Sequence, residues 1–248
     1  MQTVKGRTAV ISGGSVGMKF EMVQHLLRDG VRVALLGHHG NVTQAAVERA
    51  RQVSPEIIGF ECDVGDPAAV DRCLEETAQR FGGIDILMSM HGAHAQPEKS
   101  DFERMELEFW RGNIEGHITG TYLLMRQALP YLKRSSAPRI VVESAGCAAD
   151  PDGSVLPFST AKGGVEALVK GAARRLARYG ITVNAISLAG VPGEGAGEEE
   201  LAALRGQIPL GRCCTGADLA FAAKTLICEE ASFVTGEIFH LSGGLFVN

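Results

Sequence analysis

A chain of 248 residues, of which 45% are hydrophobic and 21% charged, has enough apolar material for a globular core. Its net charge of -5 comes without a basic cluster, which argues against nucleic acids and anionic membranes as partners, and no apolar run reaches the roughly 20 residues of a membrane span. The six cysteines form no C-x-x-C pair, so we expect reduced thiols in the cytoplasm and no metal site.

Apolar runs of strand length alternate with helical patterns along the whole chain. The runs cover residues 8–12, 31–36, 56–61, 84–90, 139–144, 181–187 and 237–243. Near-continuous apolar strands are typical of a parallel sheet that is covered by helices on both faces. We therefore predict an α/β fold with a doubly wound parallel sheet of about seven strands, which forms one domain over residues 1–248.

A glycine-rich turn follows the first predicted strand. Gly13 and Gly17 stand between this strand and the next helix, where glycines let the backbone approach the pyrophosphate of a dinucleotide. With this turn the chain resembles the short-chain dehydrogenase/reductase family, whose Rossmann-like domain carries the pattern TGxxxGxG. The third glycine of that pattern is Lys19 here, which would either obstruct the cofactor or bind one of its phosphates.

The resemblance implies a vestigial cofactor path, and its matching positions are Gly13, Gly17, Asp63 and Gly92. Asp63 matches the family residue near the adenine, and Gly92 is the only residue kept from the family's NNAG segment. Gly37, followed by two histidines, stands where the family often has an acid for the ribose hydroxyls, and Leu188–Ala189 replaces the family's PG. We predict that the chain lacks a nicotinamide cofactor, with binding of NAD(P) as the alternative.

The resemblance also identifies the positions of the family's catalytic tetrad. Lys162 matches the lysine, but the tyrosine, serine and asparagine positions hold Phe158, Ala145 and His117. Phenylalanine cannot transfer a proton, and positioned acid–base catalysis contributes roughly 10²–10⁴ to a rate. Three of the four tetrad positions are thus replaced, and we expect no ordinary carbonyl reduction at this site.

Several polar residues fall on segments that converge at the carboxyl ends of the predicted strands, namely His91, His94, His117, Glu143 and Lys162. Glu143 lies in an apolar strand, and a buried carboxylate needs a partner, for which Lys162 or a histidine is available. The neighbouring Ser144 points to the opposite face, so we expect a structural role for it. Either an ion pair fills the vacated pocket, or these groups form a new acid–base set.

Three functions follow from the resemblance. The first is a pseudoenzyme, the structural subunit of a hetero-oligomeric NAD-dependent alcohol or hydroxyacyl-CoA dehydrogenase of the benzylsuccinate-degradation type. A catalytically intact paralogue would then pack against segments 104–134 and 157–179 in a dimer or tetramer. The second is a non-redox dehydratase, isomerase or cyclase that uses His117, Glu143 and Lys162. The third is a weak NAD(P)-dependent oxidoreductase with His117 as its acid.

Overall fold

The computed structural model describes residues 3–92, 96–151, 153–193 and 195–246. These residues form seven strands: β1 (Thr8–Ser12), β2 (Arg32–Gly37), β3 (Ile57–Glu61), β4 (Ile86–Ser89), β5 (Arg139–Ala145), β6 (Thr182–Leu188) and β7 (Ile238–Leu241). They also form eight α-helices: α1 (Gly17–Arg28), α2 (Gly40–Arg51), α3 (Pro67–Phe81), α4 (Leu107–Ile114), α5 (Gly120–Leu132), α6 (Leu156–Leu176), α7 (Glu198–Gln207) and α8 (Gly216–Ile227). All seven predicted strands are present, with ends within a few residues of the prediction.

The strands make one parallel sheet in the order β3-β2-β1-β4-β5-β6-β7, which confirms the predicted fold class. The chain adds strands in one direction as far as β3 and then returns to add β4 on the other side of β1. The strand order therefore reverses between β1 and β4. In open α/β sheets, ligands bind at such a switch point, outside the carboxyl ends of the strands.

Helices cover both faces of the sheet because successive strand residues are apolar and point to opposite sides. Ile11 of β1 lies in one buried cluster with residues of α1, α2 and α8, whereas the adjacent Val10 lies in a second cluster with residues of α3, α5 and α6. Both side chains are fully buried. Two separate cores thus hold the sheet rigid and fix the carboxyl ends of its strands.

Two buried arginines lie at the opposite side of the sheet, where the strands begin. Arg139, at the start of β5, donates to the backbone carbonyls of Cys228 and Glu229 just beyond α8. Arg7 donates to the carbonyls of Ile227 and Ala137. Carbonyls at a helix end have no partner within the helix, so these side chains satisfy groups that burial would otherwise leave unpaired. No helix in the described ranges has the length and apolarity needed to cross a bilayer.

Candidate functional site

The turn between β1 and α1 has the backbone shape that a phosphate group requires. Gly13 has φ +74°, and a Cβ there would lie 2.6 Å from the carbonyl oxygen of Met90. Gly17, at φ +54°, begins α1, whose N-cap Val16 offers no side-chain hydrogen bond and whose first turn contains no acid. The first N–H groups of the helix are therefore not capped by a side chain, which suits an anionic ligand.

The positions that the resemblance assigns to the adenine side of a dinucleotide lie at the ends of β2 and β3. Asp63 is exposed, and one of its carboxylate oxygens accepts a hydrogen bond from Gly65 N at 2.8 Å. A side chain at position 37 would collide with the Thr43 hydroxyl, which explains why no acid stands there. His38 and His39 are exposed and stack on each other with 5.0 Å between ring centroids. Asp63 and Glu61, the last residue of β3, are both exposed carboxylates at these strand ends, and Asp63 is the one that the resemblance matches to the adenine.

Three charged side chains meet where β4 and β5 end. Lys19 Nζ lies 2.5 Å from Glu143 Oε2 and donates to the carbonyl of Met90 at 2.8 Å. Lys162 Nζ lies 3.6 Å from Glu143 Oε1 and donates to the backbone carbonyl of the same residue at 3.2 Å. The side chains of Lys19, Glu143 and Lys162 are 25%, 12% and 1% exposed. Glu143 therefore bridges a partly accessible ammonium group and a fully buried one.

The surroundings shift the pKa values within this cluster. Burial by itself raises the pKa of Glu143, but the ammonium groups of Lys19 and Lys162 more than offset that effect, so the carboxyl pKa lies below its ordinary value. Burial lowers the pKa of Lys162, and the opposing attraction of Glu143 only partly compensates. Glu143 is thus a carboxylate at neutral pH, and Lys162 is a stronger acid than an exposed lysine.

Phe158, the position that the resemblance matches to the family's tyrosine, lies in the first turn of α6. Its ring lies edge-on to His117 with centroids 5.3 Å apart, and Lys162 Nζ lies 5.4 Å from the ring centroid. His117 is 2% exposed and sits in a single π-helical turn, Glu115–Thr119, between α4 and α5. Its imidazole packs over Gly92, where any Cβ would overlap the ring. His117 is therefore a buried histidine whose ring contacts include Phe158 and Gly92.

The segment after β5 is closed by apolar contacts. Ala145 ends β5, and the ring of Phe246 packs so closely on Gly146 that a Cβ there would overlap it. Ser144 is fully buried and donates to Glu166 Oε1 at 2.7 Å, on the opposite face of the strand from Glu143. A strand-end hydrogen bond from Ser144 to the backbone was expected, and its acceptor is instead a side-chain carboxylate of α6. Position 145, which the resemblance matches to the family's serine, thus carries only a methyl group.

His91 belongs to a separate polar network below the phosphate turn. The hydroxyl oxygens of Ser12 and Ser89 lie 2.7 and 3.2 Å from its Nδ1, and Ser89 also contacts the Thr121 hydroxyl at 2.9 Å. Burial, reinforced by the positive charge of Lys162, lowers the pKa of His91 to about 4. The imidazole is therefore neutral at pH 7. His94 lies outside the described residues.

Sequence reasoning did not find the pairing of Lys19 with Glu143. Both residues stand out in the sequence, a lysine on a family glycine position and an acid on an apolar strand, but they are 124 positions apart. Only the strand order brings the start of α1 and the end of β5 close enough for a lysine to span. Within the described ranges, no group of three or more His, Cys, Asp or Glu residues is arranged to hold a metal ion.

The chain is similar to known reductases over nearly its full length. A family model described as enoyl-(acyl carrier protein) reductase matches residues 14–246. The 3-oxoacyl-[acyl-carrier-protein] reductase FabG of Escherichia coli is 25% identical over 246 residues, covering 98% of each chain. FabG of Aquifex aeolicus is 27% identical over 247 residues, again with 98% of each chain covered.

Two solved structures share this fold. The 3-ketoacyl-(acyl-carrier-protein) reductase from Brucella melitensis, complexed with NADH, has a TM-score of 0.91 and 24% identity and covers 99% of this chain and 100% of its own. A short-chain oxidoreductase from Pseudomonas aeruginosa, described as containing an atypical catalytic center, has a TM-score of 0.91 and 27% identity over 99% of both chains.

These findings contradict the prediction that the chain lacks a nicotinamide cofactor. The matching family is one of reductases, and a protein of the same fold is complexed with NADH. The prediction gave weight to substituted side chains at positions such as Lys19 and Leu188. A pyrophosphate, however, is held mainly by backbone N–H groups, and the turn with Gly13 and Gly17 keeps the geometry that exposes them.

Proposed function

The chain belongs to the short-chain dehydrogenase/reductase family, and on that premise we propose that it binds a nicotinamide dinucleotide without completing a reaction itself, while an intact partner subunit carries out both hydride and proton transfer at its own site. In this proposal it is one subunit of a hetero-oligomeric NAD(P)-dependent dehydrogenase of the alcohol or hydroxyacyl-CoA class, comparable with the benzylsuccinate-degradation type. The observation that carries the proposal is the ring of Phe158, which lies between His117 and Lys162 without an ionisable group.

The residues that would hold the dinucleotide are those of the phosphate turn and the adenine side. The uncapped N–H groups at the start of α1 suit the pyrophosphate, Gly13 and Gly17 allow its close approach, and Asp63 offers an exposed carboxylate near the adenine. When bound, the cofactor supplies hydride transfer at its nicotinamide ring. The protein's own part in this chemistry is to bind, orient and exclude water.

Among the described residues, the tetrad positions offer no evident donor for proton transfer to or from a substrate oxygen. Phe158 and Ala145 carry no polar side-chain atom, and His117 is 2% exposed with its ring edge-on to Phe158. Lys162 donates to Glu143 and is 1% exposed, so it does not face the crevice. Since positioned acid–base catalysis is worth roughly 10²–10⁴ in rate, an isolated chain should turn over alcohols or ketones slowly or not at all.

A catalytically intact paralogue is the partner we propose. The segments expected to meet it, 104–134 and 157–179, coincide with α4, α5 and α6. Leu107 and Tyr122 are exposed apolar residues on the first segment, 59% and 48% accessible. Large apolar side chains left in water at a helix surface favour coverage by another subunit. A dimer or tetramer with the intact paralogue would give the complex one complete catalytic site per pair.

Two measurements on the purified chain test the proposal. Calorimetric titration with NADH and NADPH should give saturable binding, and Gly13→Val, which adds bulk against the Met90 carbonyl, should remove it. Stopped assays with secondary alcohols and ketones should give no turnover until an intact paralogue is added. If neither nucleotide binds, the cofactor part is wrong. If the isolated chain turns over substrate at an ordinary family rate, the subunit role is wrong.

A non-redox enzyme is the second candidate, and the shifted pKa values of Glu143 and Lys162 favour it. Two neighbouring titratable groups with perturbed pKa values are typical of acid–base sites. Such a site would exchange the proton next to a substrate carbonyl with solvent. Uptake of deuterium from heavy water into a ketone or acyl thioester probe, lost in Glu143→Gln, would support this candidate over the subunit role.

A further inference from the structure

The Lys19 side chain crosses the topological switch point of the sheet. It starts on α1, which follows β1, passes the carbonyl of Met90 at the end of β4, and reaches the Glu143 carboxylate on β5. The crevice between β1 and β4 is where a dinucleotide spans an open α/β sheet. A charged bridge therefore lies over the crevice that a dinucleotide would occupy.

We propose that the Lys19–Glu143 ion pair is a gate that admits the adenine half of a dinucleotide freely and the nicotinamide half only when the pair opens. The inference rests on the proposed cofactor binding and makes Lys19 a specificity-determining residue of this crevice. The ends of β2 and β3, with Gly37 and Asp63, lie on the far side of β1 and are not crossed by the bridge.

Lys19 is the part of the gate that can move. Its side chain is 25% exposed and rises from the first turn of α1, so its ammonium group can turn into solvent without leaving a charge buried. Lys162, at 1% exposure, has no such route. When Lys19 leaves, Glu143 keeps Lys162 as its partner, so opening does not leave the carboxylate without a counter-charge.

The closed gate has a definite cost to overcome. Opening removes the contact with Glu143 at 2.5 Å and the hydrogen bond to the Met90 carbonyl at 2.8 Å, both made by one charged group. Water compensates for part of the lost ion pair and hydrogen bond, because the freed ammonium group becomes hydrated. A ligand whose nicotinamide half must displace Lys19 should therefore bind about tenfold more weakly than it would to a chain without the lysine.

The experiment compares whole and half ligands on matched variants. NADH, NADPH and ADP-ribose are titrated calorimetrically into the parent chain, Lys19→Ala and Lys19→Met. Lys224→Ala is the control, because it removes the same charge from a surface ion pair with Asp29. Lys19→Ala should tighten the binding of the preferred whole nucleotide about tenfold and change that of ADP-ribose by less than about twofold. Lys19→Met should tighten it less, because the side chain stays long but loses its charge.

Each other outcome would rule out the proposal that the Lys19–Glu143 pair is a gate. Equal affinities of the parent and Lys19→Ala for the whole nucleotide would show that the ion pair does not restrict entry. A parallel loss of affinity for the nucleotide and ADP-ribose would make Lys19 a phosphate ligand instead. If no chain binds any of the three ligands, the proposed function itself fails and the gate fails with it. Binding of ADP-ribose also reports that each variant is folded.

Discussion

Glu143→Gln is the substitution that tests the charged cluster most directly. It keeps the shape of the side chain and removes the carboxylate that lies 3.6 Å from the ammonium of Lys162. Lys162 then keeps neutral acceptors, the backbone carbonyl of residue 143 at 3.2 Å and the amide oxygen of the new side chain, but it loses its counter-charge. A lysine that is 1% exposed would be left charged without a counter-charge. We expect a large loss of stability at pH 7.

The size of the loss can be bounded from the distance. Two unit charges 3.6 Å apart attract by about 5 kcal/mol at an effective dielectric constant of about 20. Lys162 can escape part of this penalty by releasing its proton, because burial already lowers its pKa. The net loss should therefore be about 3 kcal/mol, as is typical for breaking a buried pair. For a chain of this length that corresponds to a fall in Tm of roughly 6–12 °C.

Urea unfolding of the parent, Glu143→Gln, Lys162→Met and the double variant measures this penalty. The double variant should recover most of the stability lost in Glu143→Gln, because it no longer buries a charge. Raising the pH should shrink the loss in Glu143→Gln, since a neutral Lys162 needs no counter-charge. A loss below about 1 kcal/mol at pH 7, or one that grows with pH, would refute the reasoning.

Three further predictions concern stability. The pKa of His91 falls from 6.5 to about 4 on folding, so the unfolded chain binds more protons than the folded chain between these two pH values. Acidification from pH 7 to pH 4 should therefore lower the parent's free energy of unfolding by about 3 kcal/mol more than that of His91→Gln, as measured by urea unfolding. Arg139→Met should lower the free energy of unfolding by at least about 3 kcal/mol, because it leaves buried backbone carbonyls without a donor. Arg51→Ala, which breaks an exposed ion pair with Glu48, should lower it by under about 1 kcal/mol in the same assay. Gly13→Ala should lower the free energy of unfolding by about 2 kcal/mol or more, because alanine disfavours the positive φ and its Cβ would collide with a backbone carbonyl. Gly112→Ala, in helix α4 with open space around it, should be neutral or stabilising in the same thermal melts.

The fold was predictable because the strand signal is local. Within the run 139–144, the consecutive residues 140–142 are apolar and point to both faces, and only a strand covered on both sides buries such residues. The ends were less predictable, since a strand stops where its neighbour stops pairing. The predicted strand 84–90 is paired only over Ile86–Ser89, where β1 and β5 lie on either side of it.

The site was predictable in its positions and only partly in its contacts. The family pattern located Phe158, Ala145 and Lys162, and the structure brings Phe158 and Lys162 into contact. The partner of Glu143 was expected to be Lys162 or a histidine, and Lys162 is one partner. Lys19 was not foreseen in that role, because the reach of a lysine across two strand ends depends on sheet geometry that no local pattern encodes.

The cofactor prediction failed for a different reason. It judged the cofactor-binding positions by their side chains alone. On that basis the residues that differ from the family pattern, Lys19, Gly37 and Leu188, outweighed the residues that match it. Backbone geometry is carried by glycines at positive φ, and two of them persist in the phosphate turn, Gly13 and Gly17. Side-chain substitution therefore indicates altered selectivity of such a site more reliably than it indicates loss of binding.

The substitutions around Lys162 act as one physical unit. In the family pattern a tyrosine next to this lysine has its pKa lowered by the ammonium charge, which means that the lysine has a nearby oxygen that can carry negative charge. Phe158 removes that oxygen and offers only its ring face, 5.4 Å from the ammonium. A lysine as deeply buried as Lys162 would then lose its proton or destabilise the fold. Glu143 supplies the missing negative charge from the adjacent strand.

Lys19 is the second cation that contacts Glu143, and it comes from α1. One carboxylate between two ammonium groups leaves a net positive charge at the ends of β4 and β5, with Lys19 as the accessible end of it. Under the proposed gate, a ligand that enters must either exchange an anion for Glu143 at Lys19 or leave the pair closed. This choice is what the titrations of whole and half nucleotides separate.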